Sequence, residues 1–427
     1  MKVDSLISHI NQEGLDAAFA SLYPAADMAA IRTRYAEAVE SFINLYGGDR
    51  EGFIFSVPGR SELSGNHTDH NHGCVIAGSV DLDIIAVVSP RTDRLIRLTS
   101  KGYSEDRVDI DEFSSPLPEK EGKSCSLIAG VCAGFVRDGY TVGGFDAYTT
   151  SSVLKGSGLS SSAAFEVMVG NILNHLYNDG KVGYVEIAKI AQYAENVFFG
   201  KPCGLMDQVA CAAGGIVAID FADPASPVIE RLDFDITAHG YSLCIVNTGG
   251  NHADLTDDYA SVPAEMKAVA SKLGAKVLRE VPEEKFLASL PELRAFCGDR
   301  ALLRALHFYE ENKRVAKQKA ALLAGNLDEY FAGVIASGRS SFCYLQNVYT
   351  TKNVSEQGLS LALCLAEHYL TGKSGAWRVH GGGFAGTIQA YVRFSDVQGF
   401  RELTDVVFGA GACAELHIRK AGAVRVF

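Results

Sequence analysis

Apolar residues recur along the chain first at helical spacing, then in alternation, and the two rhythms mark out its elements in turn. Residues 1–24 set Lys2, Asp4, Glu13 and Asp16 among apolar positions, which predicts an amphipathic helix rather than a signal peptide. Phe53-Ile54-Phe55-Ser56-Val57 predicts a short strand that Pro58-Gly59 ends. Residues 75–89 are β-branched and partly alternating, and 95–99 follow as a further strand. A helical period then takes over at 125–137, 161–178 and 184–199. Beyond these, the pattern predicts a strand at 241–248, largely helical stretches at 262–320, 325–339 and 355–370, and strands at 376–380, 386–394 and 422–427. Strands cluster instead of alternating strictly with helices, the pattern of an α+β protein. No repeat or low-complexity linker interrupts it. A domain boundary is expected within 214–240, around Gly214-Gly215, Pro224 and Pro227, and is placed at 220/221 to give domains of 1–220 and 221–427.

Composition narrows the class. A chain of 427 residues exceeds one ordinary core, and 47% hydrophobic content fits a globular enzyme-sized protein. The net charge of −12 comes with no cluster of Lys and Arg, which excludes nucleic acid and anionic membrane as expected partners. An anionic substrate would need local positive charge or helix dipoles. Ten scattered cysteines form no CxxC pair and no zinc spacing, as expected of thiols in a reducing compartment. With no stretch near the roughly 18 apolar residues of a membrane span, a cytoplasmic location is expected.

Chemistry enters at Lys155-Gly156-Ser157-Gly158-Leu159-Ser160-Ser161-Ser162-Ala163-Ala164, which opens into an apolar helical run. Small residues at a helix start leave its first N–H groups bare and let an anion approach. Ser160, Ser161 or Ser162 can cap the helix, and a spare hydroxyl can reach a metal or phosphate oxygen. An ordinary capped helix fits the run equally well. A Walker A loop is excluded, because Leu117 and Glu367 stand where its leading glycine belongs before the two Gly-Lys-Ser triplets. A dinucleotide fingerprint fails at Ser161.

Four further features need an account. Glu195 lies on the apolar stripe Ile187, Ile190, Ala191, Ala194, Phe198, where a carboxylate requires a cation, either an ion-pair partner or a metal. Asp207 follows the bend Cys203-Gly204-Leu205 and fits either an N-cap or a carboxylate turned into a cleft. Residues 58–73 gather Arg60, His67, Asp69, His70 and His72 beside a strand end. The three histidines match no standard zinc spacing, and a hydrogen-bonding surface for a polyhydroxy ligand is the alternative. Gly381-Gly382-Gly383 between two strands lets backbone approach a ligand or a neighbouring loop.

In order and spacing, the stretches 57–73, 154–166, 194–208 and 378–386 resemble the GHMP kinase superfamily, and within it the galactokinase branch. The resemblance implies a two-domain α+β fold, with a ribosomal protein S5 domain 2-like N-terminal domain and a ferredoxin-like C-terminal domain. It implies an ATP- and Mg²⁺-dependent sugar 1-kinase with its site between the domains. Gly156, Ser157, Gly158, Leu159, Ser160, Ser161, Ser162 and Ala163 would cradle the ATP phosphates. Ser162 and Glu195 would hold Mg²⁺. Asp207 would accept or orient the proton of the anomeric hydroxyl, with Arg60 lowering that hydroxyl's pKa and stabilising charge on the transferring phosphoryl group. Asn66, His67, Asp69, Gly204 and Tyr259 would bind the sugar, and Gly381 to Gly383 would support the phosphate end of the site.

The chain also departs from the branch signature Gly-Arg-x-Asn-Leu-Ile-Gly-Glu-His-Thr-Asp-Tyr. Glu62 replaces the Asn, Asn66 the Glu and His70 the Tyr. The replaced Glu holds the hydroxyl on carbon 6 of galactose in the family. A neutral amide at 66 would tolerate a carboxylate there, which makes galacturonate an alternative acceptor. Ser124 and Leu127 stand where the family carries Trp and Tyr near the nucleotide base. Tyr344-Leu345-Gln346-Asn347-Val348 replaces its acidic-aromatic segment. A catalytically silent sugar sensor is the competing reading from another class.

Overall fold

The alternation read from the sequence becomes two sheets. A computed structural model describes residues 1–12, 14–24, 27–112, 115–153, 158–201, 203–250 and 255–427. The first sheet contains β1 (Phe53–Ser64), β2 (Cys74–Pro90), β3 (Leu95–Ser100), β4 (Asp106–Asp109), β5 (Phe145–Ser151), β6 (Ile216–Asp220) and β7 (Val228–Leu232). The second contains β8 (Tyr241–Asn247), β9 (Gly375–His380), β10 (Thr387–Arg393) and β11 (Cys413–Leu416), in the order β11-β8-β10-β9. β12 (Val424–Arg425) returns to the first sheet, which runs β12-β1-β2-β5-β3-β4, with β6 and β7 continuing from β2.

Period-2 alternation decides what each face covers. Ile54, Ile85, Val87 and Tyr148 pack against the helices Val3–Asn11, Asp16–Leu22 and Met28–Tyr46. Phe55, Val57, Ile84, Ala86 and Val88 point the other way, onto the helices Ser124–Arg137, Ser161–Tyr177, Tyr184–Tyr193 and Met206–Ala213. In β8, Leu243 and Ile245 join that same core, while Cys244 and Val246 face the helices Gly358–Leu370 and Phe394–Phe408. One apolar core therefore runs from the first sheet into the second and fixes the two halves against each other. The expected division at 220/221 falls in the β6–β7 hairpin, and β12 crosses back from the second half.

Four local expectations are corrected. Pro58-Gly59 does not end a strand: β1 runs on to Ser64, and its pairing with β2 slips between Pro58↔Asp83 and Arg60↔Ser79. A proline is tolerated in a strand at such an irregularity. The N-terminal segment is two helices rather than one, broken around Gly14. The stretch 262–320 is interrupted at Gly274, Pro282 and Gly298, and its last helix runs Asp299–Leu323. The C-terminal strand is confined to Val424–Arg425. Among the described residues no helix is long and apolar enough to cross a membrane.

Candidate active site

The slip in β1 sets the position of Arg60. Gly59 lies against the Leu159 carbonyl, which would sit 2.9 Å from a Cβ at this position, and Arg60 N donates to that oxygen at 3.1 Å. The Arg60 guanidinium reaches Asp207 in a two-point pair, Nε to Oδ1 at 2.6 Å and Nη2 to Oδ2 at 2.5 Å, and Nη1 donates to the Gly158 carbonyl. Ser160 Oγ donates to Asp207 Oδ2 at 2.7 Å. Burial pushes the Asp207 carboxyl up, but the charge and hydrogen bonds of Arg60, with the Ser160 hydroxyl, outweigh it and hold the group below the ordinary carboxylate range.

The serines cap nothing. Ser160 occupies the N-cap of the helix Ser161–Tyr177 at φ 56°, and its hydroxyl is turned to Asp207. Ser162 Oγ is turned to Glu195 Oε1, at 3.1 Å. The first intrahelical bond, Ala164 N to Ser160 O, leaves the amides of Ser161, Ser162 and Ala163 ahead of it without a side-chain cap. Diverting the hydroxyls keeps those donors and the positive end of the helix dipole available to an anion. Gly158, at φ 73°, packs against His380, whose Nδ1 would lie 2.9 Å from a Cβ there. Leu159 is fully buried. Gly156 and Ser157 lie outside the described residues.

Glu195 sits in a π-helical turn, Ala194–Phe199, that continues the helix Tyr184–Tyr193. Such turns recur at functional sites because they re-aim one side chain out of helical register. Its carboxylate, 3% exposed, meets Lys201 Nζ at 3.0 Å through Oε1 and Gln208 Nε2 at 2.9 Å through Oε2. The same Gln208 amide lies 3.3 Å from Glu166 Oε2. Glu166 is fully enclosed, and burial followed by the Glu195 charge push its carboxyl well above the ordinary range. Sequence reasoning passed over Glu166, although it stands in a helix apolar on every side, where any carboxylate is buried. Among the described residues no three His, Cys, Asp or Glu side chains group as a metal-ligand set, so His67, His70 and His72 make none. Ser162 and Glu195 do suit a hard divalent cation that keeps waters and phosphate oxygens as its other ligands. An anionic oxygen and a hydroxyl converge there, and an ammonium stands in for the cation.

The remaining candidates line the other side. A Cβ at Gly204 would collide with Asp69 Oδ2, so the bend that delivers Asp207 also abuts Asp69. On the resemblance's assignment of Asp69 to the sugar, Gly204→Ala is expected to displace Asp69 and raise the sugar KM at least tenfold with little change in Tm, measured by steady-state kinetics and thermal unfolding. His67, at φ 60°, lies 2.9 Å from the Gly382 carbonyl through Nε2. Burial holds its imidazole neutral, down at about 4, so Nε2–H is the donor. Tyr259 Oη donates to the Gly383 carbonyl at 2.9 Å, and its ring leaves no room for a Cβ at Gly382. Gly381 brings this loop against Gly158, whose Cα would lie 3.7 Å from a Cβ at 381.

Asn66 behaves differently from the expectation that it faces the sugar. It is fully enclosed, and its Nδ2 donates to Gly381 O at 2.7 Å and Glu62 Oε1 at 3.1 Å. Its Oδ1 accepts from Asn347 Nδ2 at 2.9 Å and Ser341 Oγ at 3.3 Å. Glu62 is ion-paired with Arg378, which is buried in β9. Two departures from the signature, Glu62 and Asn66, and one from the segment 344–348, Asn347, are thus one hydrogen-bonded cluster: at 62 and 66, carboxylate and amide have exchanged places and remain in contact.

The comparisons agree with this geometry. Residues 126–215 match the GHMP kinases N terminal domain, and residues 40–90 match the galactokinase galactose-binding signature. A galactokinase of Streptomyces coelicolor is 32% identical over 376 residues, 87% of this chain and 92% of the relative. One from Actinobacillus pleuropneumoniae serotype 5b is 33% identical over 378 residues, 86% and 91% of the two chains. In fold, the chain is similar to Lactococcus lactis galactokinase complexed with galactose (TM-score 0.77, 23% identity, 92% of this chain and 100% of that one). Methanococcus jannaschii mevalonate kinase superposes with a TM-score of 0.60 at 14% identity, covering 86% of this chain and 98% of that one. The fold is that of the GHMP kinases. Within that class, the chain belongs to the galactokinase family.

Proposed function

We propose that the protein transfers the γ-phosphoryl group of ATP to the anomeric hydroxyl of galactose, giving galactose 1-phosphate and ADP. The observation that carries this reading is Asp207, locked by Arg60 and Ser160 at the open N-terminus of the helix Ser161–Tyr177. A carboxylate kept ionised accepts the hydroxyl proton as the sugar oxygen attacks phosphorus and the bond to the ADP oxygen breaks. The helix amides and the Arg60 charge stabilise the anionic phosphoryl oxygens. Ser162 and Glu195 would hold Mg²⁺, which supplies neutralisation of phosphate charge. His67, Asp69, Gly204 and Tyr259 are the proposed sugar contacts.

The cluster around Asn66 favours galactose over galacturonate. The tolerance for a carboxylate depends on a free amide at 66, and this amide is fully engaged. The Arg378 charge behind it is already neutralised by Glu62. Purified protein with Mg-ATP is expected to release ADP with galactose and not with galacturonate, glucose, arabinose or N-acetylgalactosamine. Turnover of galacturonate alone overturns the choice of acceptor, and sugar binding without ADP release from any of the five makes the protein a sensor.

A further inference from the structure

Lys201 pairs with Glu195 in this site but has no part in the proposed reaction. It follows the left-handed Gly200 that ends the π-helical turn, and its backbone N donates to the Glu195 carbonyl at 3.1 Å. Its ammonium lies 3.0 Å from Glu195 Oε1, the same oxygen that accepts the Ser162 hydroxyl. The other carboxylate oxygen is taken by the Gln208 amide. An ammonium and a divalent cation therefore contend for one oxygen, and their like charges repel at that distance. The Lys201 side chain is 61% exposed while the Glu195 carboxylate is 3% exposed, so the ammonium reaches inward from solvent on a stem that can turn away. While paired with Glu195 its charge also acts on Asp207, the carboxylate at the helix N-terminus where the phosphoryl oxygens are proposed to lie. Arg60 is committed to Asp207 and Gly158 and has no such freedom. In a chain of net charge −12, a swinging cation here serves a polyanionic substrate.

We propose that Lys201 is an exchangeable counter-ion: it competes with the divalent cation for Glu195 Oε1 and, once displaced, binds a phosphate of the nucleotide. The inference rests on the proposed assignment of Ser162 and Glu195 to the cation. It makes cation binding weak without nucleotide and strong with it, because the lysine is a competitor in the first case and a ligand in the second.

The test is Lys201→Met, whose exposed stem is preserved in length, with Mn²⁺ as the probe. Mn²⁺ binding to the full chain without nucleotide, read by electron paramagnetic resonance, is expected to tighten on the order of tenfold. Binding of a non-hydrolysable ATP analogue in the presence of Mg²⁺, read by calorimetry, is expected to weaken on the order of tenfold. A merely structural role moves both in the same direction. Unchanged or weaker Mn²⁺ binding overturns the competition, and unchanged or tighter analogue binding overturns the exchange onto phosphate. Glu195→Gln separates this from the underlying reading. If that variant abolishes Mn²⁺ binding while Lys201→Met leaves it unchanged, only the counter-ion proposal falls. If Glu195→Gln leaves Mn²⁺ binding intact, the cation assignment itself falls, and the proposal with it.

Discussion

Asp207→Asn is expected to lower kcat about a thousandfold or more, while Arg60→Met loses a comparable factor by a different route. Asparagine keeps the shape and the Ser160 contact but removes the negative charge, so no pH restores a proton acceptor. In Arg60→Met the carboxylate remains, and the largest influence opposing its burial is gone. In the native protein the Asp207 pKa is depressed, so the pair contributes stability above the unfolded carboxylate pKa and loses it as pH falls through the lower folded value. Without Arg60, burial is opposed only by the Ser160 hydroxyl and the Lys201 charge, and the folded pKa rises. The residual rate of Arg60→Met should therefore climb with pH across a limb displaced upward from that of the native enzyme, while that of Asp207→Asn stays flat. Each variant also leaves one charge of a two-point pair without its partner, at a cost of about 2–4 kcal/mol. Rate against pH, taken alongside Tm, separates the chemical loss from the structural one. A flat Arg60→Met profile would remove Arg60 from the tuning of Asp207.

Asn66→Glu, which restores the family residue at that position, is expected to damage this protein. The new carboxylate would stand beside Glu62, whose own carboxyl is already pushed up by burial against the pull of Arg378. It would also replace the Nδ2 donors that satisfy Gly381 O and Glu62 Oε1. One unmatched buried charge and a lost donor cost about 3–5 kcal/mol, enough to lower Tm by several degrees and to loosen the Gly381 loop. The double exchange Glu62→Asn with Asn66→Glu keeps one carboxylate and one amide in contact, and is expected to recover at least half of the loss. Chemical denaturation of the native protein, both single variants and the double variant gives the coupling energy directly. Additive losses would mean that the two positions do not act as a pair.

Much of the site was legible because phosphoryl transfer leaves strong marks. A small-residue helix start, a carboxylate on an apolar stripe and an aspartate after a glycine bend each violate an ordinary local rule, and a violated rule draws attention. What escaped were residues whose meaning lies in contacts across long separations. Nothing in the sequence shows what Glu62 pairs with; Arg378, its ion-pair partner, is more than three hundred positions away. Asn66 is placed by the signature position and its residue type, and neither says which four partners surround its side chain. The serines can either cap the helix or leave it open on the sequence alone, and the positions of Asp207 and Glu195 decide between the two. In the fold, long periodic segments were legible. The strand at 53–57 was cut short because Pro58-Gly59 signals a stop wherever no irregularity in the pairing absorbs it.

The pairing of β12 with β1 has a consequence for the timing of biogenesis. Phe55 and Ser56 are matched by Arg425 and Val424, and Ile54 is bonded on both sides of its peptide by residues 426 and 427. The strand that carries Arg60 therefore waits for residues 424–427 to leave the ribosome before its outer edge is closed. Until then it presents free backbone donors and acceptors beside an apolar surface, the condition under which nascent chains pair with one another. Closure of this sheet edge and protection from self-association arrive together, in the same few hydrogen bonds, once residues 424–427 have emerged.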